Sequence, residues 1–108
     1  MAFTPTYSPV APNATLGGQG YGRMQDITMD AVSAYPAGGF ALTGCGIQTI
    51  LGVAHVGNNT AGVGYIPAWN SQTSKLQILV SGASASPLIE FVGTFAASTV
   101  IRGWIIGY

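Results

Sequence analysis

Apolar and polar positions alternate with a period of two along much of this chain, and no stretch carries a helical stripe. From Arg23 onward, Ile27, Met29 and Ala31 fall on one face and Asp26, Thr28 and Asp30 on the other, the pattern of a half-buried strand. Tyr35-Pro36-Ala37-Gly38-Gly39 breaks it. Phe40-Ala41-Leu42-Thr43 then leads through Gly44-Cys45-Gly46 into a second predicted strand, Ile47 to Val53, rich in branched residues. After a turn at Gly57-Asn58-Asn59-Thr60, residues 63–69 alternate again, with Val63, Tyr65 and Trp69 opposite Gly64, Ile66 and Ala68. Pro67 marks that strand as an edge or a bulge. Asn70 to Ser74 reads as a hairpin loop, Lys75 to Val80 as the returning strand and Ser81 to Ser86 as a small-residue loop. Leu88 to Phe95 and Thr99 to Ile106 are expected to close the domain as a terminal pair, with Glu90 facing Arg102. The pattern predicts an all-β fold, a small antiparallel β-sandwich or barrel of roughly six to eight short strands.

The first 22 residues follow another rule. They hold Pro5, Pro9 and Pro12 and four glycines (Gly17, Gly18, Gly20, Gly22) without either periodicity, so they are expected to form an extended N-terminal arm outside a β-domain of residues 23–108. Phe3, Tyr7, Val10 and Leu16 give this arm apolar anchors for a neighbouring chain.

The end of the chain carries a second apolar surface. Ile89 and Phe91 oppose Leu88 and Val92, while Ile101 and Ile105 oppose Val100, Trp104 and Ile106, so both faces of the last strands are apolar. A lone small sandwich shows water one polar face. Val92, Val100, Trp104 and Ile106 are therefore the expected oligomer interface. Composition strengthens this reading: only six of 108 residues are charged and they sum to zero, where about a quarter would be usual. Two arginines and one lysine, scattered at positions 23, 75 and 102, make no basic stripe, which excludes nucleic acid as an expected partner. No window of about 18 residues is continuously apolar, so no helical membrane span is expected. The start, Met1-Ala2-Phe3-Thr4-Pro5-Thr6, has neither the basic nor the apolar region of a signal peptide.

Reactive side chains are few: one His, one Cys, two Asp and one Glu. Cys45 and His55 form a nucleophile pair only on paper, since no third group is identifiable to orient His55. Asp26 and Asp30, four residues apart on a strand, stand roughly 13 Å apart, too far to share a metal ion. Gly17-Gly18-Gln19-Gly20 lacks the Lys and Ser/Thr of a phosphate loop. No catalytic residue, metal site or cofactor is expected. Trp69 and Trp104 could stack on sugar rings, though aromatic residues in short strands more often pack in cores or interfaces.

The segment order Asp26-Ile27-Thr28-Met29-Asp30, Tyr35 to Thr43, Gly64-Tyr65-Ile66, Trp69-Asn70, Ser74-Lys75-Leu76-Gln77, Ser98-Thr99-Val100-Ile101-Arg102 and the terminal Ile106-Gly107-Tyr108 resembles small structural proteins of tailed bacteriophages, most of all capsid decoration, or cement, proteins. The resemblance covers residues 23–108. It implies a non-enzymatic virion protein on the outer surface of the capsid, often a homotrimer, whose arm or loop grips the major capsid protein and stabilises the shell. The competing expectation is a carbohydrate-binding module of a phage tail or host-contact structure.

Overall fold

In the computed structural model, which describes residues 2–15, 20–58, 64–81 and 88–108, the chain forms eight strands and no helix among the described residues. They are β1 (Thr6–Pro9), β2 (Ala14–Thr15), β3 (Tyr21–Thr28), β4 (Ile50–Asn58), β5 (Ile66–Asn70), β6 (Lys75–Ser81), β7 (Leu88–Glu90) and β8 (Val100–Gly107). A five-stranded sheet has the order β1-β3-β8-β4, with β2 also paired to β3, and a three-stranded sheet has the order β5-β6-β7. Every pairing is antiparallel. The all-β, sandwich-like architecture expected from the alternation is the one observed.

Each sheet turns its branched positions toward the other. Ile27 of β3 and Ile101 and Ile105 of β8 are buried from one side, Leu76 and Ile78 of β6 from the other. The connections fill the space between with Met29, Tyr35, Phe40, Leu42, Cys45, Ile47, Tyr65 and Phe95. The loop after β3 docks through an isolated bridge in which Phe40 and Leu76 exchange backbone hydrogen bonds of 3.0 and 2.8 Å. Gly39 permits that approach: its φ is +100°, and a Cβ there would stand 2.5 Å from the Leu76 carbonyl oxygen. Pro67 does lie on an edge strand, since among the described residues β5 pairs only β6. The Asn70 hairpin loop is also where it was expected, with the Asn70 side chain accepting from the backbone N–H of Gln72 and Thr73.

Three expectations are corrected. The boundary at residue 23 does not separate an arm from a domain. Thr6–Pro9 pairs with Thr28–Gln25, Ala14 and Thr15 pair with Gly22 and Tyr21, and Phe3 and Tyr7 pack against the core. The terminal pair of strands does not form. β7 joins β6 in the small sheet, while β8 runs between β3 and β4 at the centre of the large one. Glu90 consequently never meets Arg102. Its carboxylate accepts from the Tyr35 hydroxyl at 2.7 Å and from the Gly38 N–H at 3.0 Å, while the Tyr35 hydroxyl accepts from the Ile78 N–H. The branched segment at Ile47 starts late as a strand, at Ile50, because Cys45 and Ile47 are drawn into the core as loop residues.

The N-terminal segment is further tied by Asp30, whose carboxylate accepts the backbone N–H groups of Ser33, Val32 and Thr4 at 3.0, 2.8 and 2.8 Å. These bonds favour the ionised form and hold the Asp30 carboxyl down to about 2, from an ordinary 3.8. Depression in the folded state means that this stabilisation is complete above about pH 4 and is lost as pH falls toward 2. Unfolding midpoints measured across that window should fall for the wild type. For Asp30→Asn they should fall less steeply, from a lower starting value.

Candidate functional site

Directly opposed residues of paired strands point to the same side of a sheet, so the registers define the uncovered face of the large sheet row by row. Thr6, Thr28 and Val100 form one end. The next row is Ser8, Asp26, Arg102 and Gly57, and beyond it come Met24, Trp104 and Ala54, with Val10 attached through its N–H to the Met24 carbonyl at 2.9 Å. Ala14, Gly22, Ile106 and Gly52 complete the face. Among the described residues, the rows below the charged one are wholly apolar. Met24, Trp104 and Ile106 are each half-buried by their neighbours, and Val10 is 39% exposed. Trp104 leans onto Gly22, where a Cβ would stand 3.1 Å from its Cε3.

Arg102 and Asp26, centred on adjacent strands, make a two-pronged ion pair: Nε donates to Oδ1 at 2.7 Å and Nη2 to Oδ2 at 3.1 Å. The hydrogen bond from Arg102 holds the Asp26 carboxyl below its usual range and raises the guanidinium in return. Beside this pair β4 is irregular, with register shifts between Ile50 and Gly52 and between His55 and Gly57. The second bulge opens a concavity of about 350 Å³ lined by Asp26, Val56, Gly57, Asn58 and Arg102. Its floor is Gly57, above which a Cβ would meet no atom within 4 Å. Val56 is an exposed apolar wall, and the Asn58 Oδ1 lies 3.2 Å from His55 Nε2.

The residues singled out from the sequence are divided among several places. Val100, Trp104 and Ile106 do share one outer face, but Val92 lies beyond β7 on the other sheet's side of the chain, 88% exposed, and is not part of it. Phe3 and Tyr7 are engaged internally. The Phe3 ring lies 5.0 Å from that of Phe40 and 6.1 Å from those of Tyr35 and Phe95. The Tyr7 hydroxyl is buried with no hydrogen-bond partner among the described residues, and that burial pushes its pKa up to about 12. Of the three described arm anchors Val10 alone lies on the open face; Leu16 lies outside the described residues. The glycine run 17–19 and most of the loop after Ser81 lie outside them as well.

Cys45 and His55 are not brought together. The buried thiol donates to the Leu42 and Ile47 carbonyls, whereas the exposed imidazole meets Asn58. Trp69 packs against the core, on the same side of β5 as the buried Tyr65 and Pro67. Asp26 and Asp30 serve different bonds, and among the described residues no three His, Cys, Asp or Glu side chains gather as metal ligands. The concavity at Gly57 was not legible beforehand, because it needs the register of β3, β8 and β4 together. Comparison with models of protein families, with curated proteins and with solved structures returns no match.

Proposed function

We propose that this chain is a non-enzymatic structural protein of a tailed-bacteriophage virion, a decoration protein that binds the major capsid protein on the outer surface of the shell and stabilises it, assembled there as a homotrimer. The observation that carries the reading is the uncovered apolar face built by Val10, Met24, Trp104 and Ile106. Adjacent apolar side chains left partly exposed along one sheet face offer a partner surface to bury. The near absence of charge agrees, since it leaves contact to apolar burial and backbone pairing. Because Phe3 and Tyr7 are engaged in the chain's own core, the shell contact is assigned to this sheet face and not to a free arm.

Co-sedimentation with purified shells tests the proposal. Wild-type protein should pellet with shells at low salt and equally in 1 M NaCl, because screening acts on exposed charges separated by more than about 8 Å. Trp104→Asp should weaken attachment by roughly 30-fold, the effect of losing about 2 kcal/mol at an aromatic anchor, while Arg23→Ala/Lys75→Ala should bind as wild type. Release of the wild type at high salt, or unaltered pelleting of a folded Trp104→Asp variant, overturns the proposal.

A further inference from the structure

The concavity beside the Asp26–Arg102 pair has a floor, two kinds of wall and a definite polarity. Its volume of about 350 Å³ falls at the small end of ligand sites. We propose that it binds a neutral saccharide, a role that goes beyond shell attachment and does not depend on it.

Three observations select that chemistry. First, the charges lining the site cancel. Arg102 and Asp26 are bound to each other through two hydrogen bonds, so an anion drawn to the guanidinium meets the carboxylate and a cation meets the reverse. Second, the pair leaves directed hydrogen-bonding capacity on both partners. Only Nε and Nη2 of Arg102 are engaged with Asp26, so among the described residues its other N–H groups have no acceptor, and each Asp26 oxygen keeps a further lone pair. Donors and acceptors fixed side by side suit vicinal hydroxyls, which donate and accept at once. Asn58 adds a side-chain amide at the rim. Third, Val56 supplies an apolar wall, 47% exposed, for the C–H face of a sugar ring, and the open space above Gly57 lets the ring descend onto the strand. Neither indole lines the concavity: Trp69 packs against the core and Trp104 leans the other way, onto Gly22.

Amide chemical shifts of the full chain, followed by NMR, give the test. Glucose, galactose, mannose, N-acetylglucosamine and their common disaccharides are titrated in, alongside sodium phosphate, glucosamine and triglycine. At least one neutral sugar should produce saturable shifts centred on Gly57, Asn58 and Arg102, with a millimolar Kd. Gly57→Val raises the floor from a Cβ position with no atom within 4 Å, so it should keep the unfolding midpoint within a few degrees of wild type and lose the response by tenfold or more. Arg102→Met should lose it too. Absence of a saturable response to every neutral sugar, tighter binding of triglycine or of a charged probe, or an unchanged response in Gly57→Val each overturns the assignment. All of these readouts are made without shells, so failure here leaves the proposal of shell binding untouched, and the reverse also holds.

Discussion

Removal of residues 1–15 is expected to abolish the cooperative unfolding of this domain. The segment supplies two strands of the large sheet, β1 and β2, both paired to β3. It also places the Phe3 ring among Tyr35, Phe40 and Phe95 and the Tyr7 side chain against the core. Burying two aromatic side chains in part, at about 1.5–3 kcal/mol each for full burial, together with several backbone hydrogen bonds at about 0.5–1.5 kcal/mol net, amounts to roughly 5 kcal/mol. Small domains have only about 5–15 kcal/mol in total. Deletion would also expose the Tyr21–Thr28 strand as a bare edge, inviting association. Circular dichroism through a urea titration should show a broad, early transition or none. A truncated chain that unfolds sharply at the wild-type midpoint would mean that the segment is an appendage after all.

A single methyl group at residue 107 should be almost as damaging. Gly107 lies between Tyr21 and Ile50 at the end of the central strand, facing inward. A Cβ there would overlap the Thr49 carbonyl oxygen and stand 2.9 Å from Ile47 Cγ2. The oxygen cannot retreat cheaply, because Thr49 and Tyr108 exchange backbone hydrogen bonds of 2.7 and 2.9 Å at the same place. Overpacking of this kind costs about 1–3 kcal/mol where side chains can yield and more where backbone must move, so Gly107→Ala is expected to lose about 3 kcal/mol or more. Gly52→Ala, on the neighbouring strand with nothing within 4 Å of the new atom, is the control and should change stability by less than about 0.5 kcal/mol. Urea midpoints at constant m-value report both. Equal stability of the two variants would rule out the close approach at Gly107.

Local pattern carried the strands and not their partners. The alternation of Ile27 and Met29 against Asp26 and Thr28 was sufficient because each face of β3 has one environment. Pro67 and Asn70 act within a few residues of themselves and could be read directly. The error at β8 has a different origin. Leu88 to Phe95 and Thr99 to Ile106 are adjacent in sequence, and adjacency favours a hairpin, but β7 is only three residues long and Phe91 and Phe95 turn inward to stack at 4.1 Å. The aromatic cluster takes the chain away from a hairpin before it can form. Prolines hide the periodicity of β1 in the sequence, although an edge strand tolerates Pro9 where an inner strand would not. Gln25 is fully buried on an inward position, where its amide donates to the Cys45 carbonyl at 2.8 Å, a loop contact that no strand pattern contains.

The placement of β8 between β3 and β4 sets an order of events during synthesis. Asp26 and Arg102, joined across two neighbouring strands, are 76 positions apart, and until residues 100–107 leave the ribosome neither β3 nor β4 has its central partner. The β5–β6 hairpin can close early, since its strands are separated only by a four-residue loop at 71–74. β1 and β2 can likewise pair with β3 early, but the large sheet is completed only when β8 enters between β3 and β4, which makes slow, topology-limited folding the expectation. A ribosome stalled ahead of Val100 would present β3 and β4 each with a bare edge where β8 belongs, so nascent chains of this protein have their greatest need of a chaperone until β8 emerges.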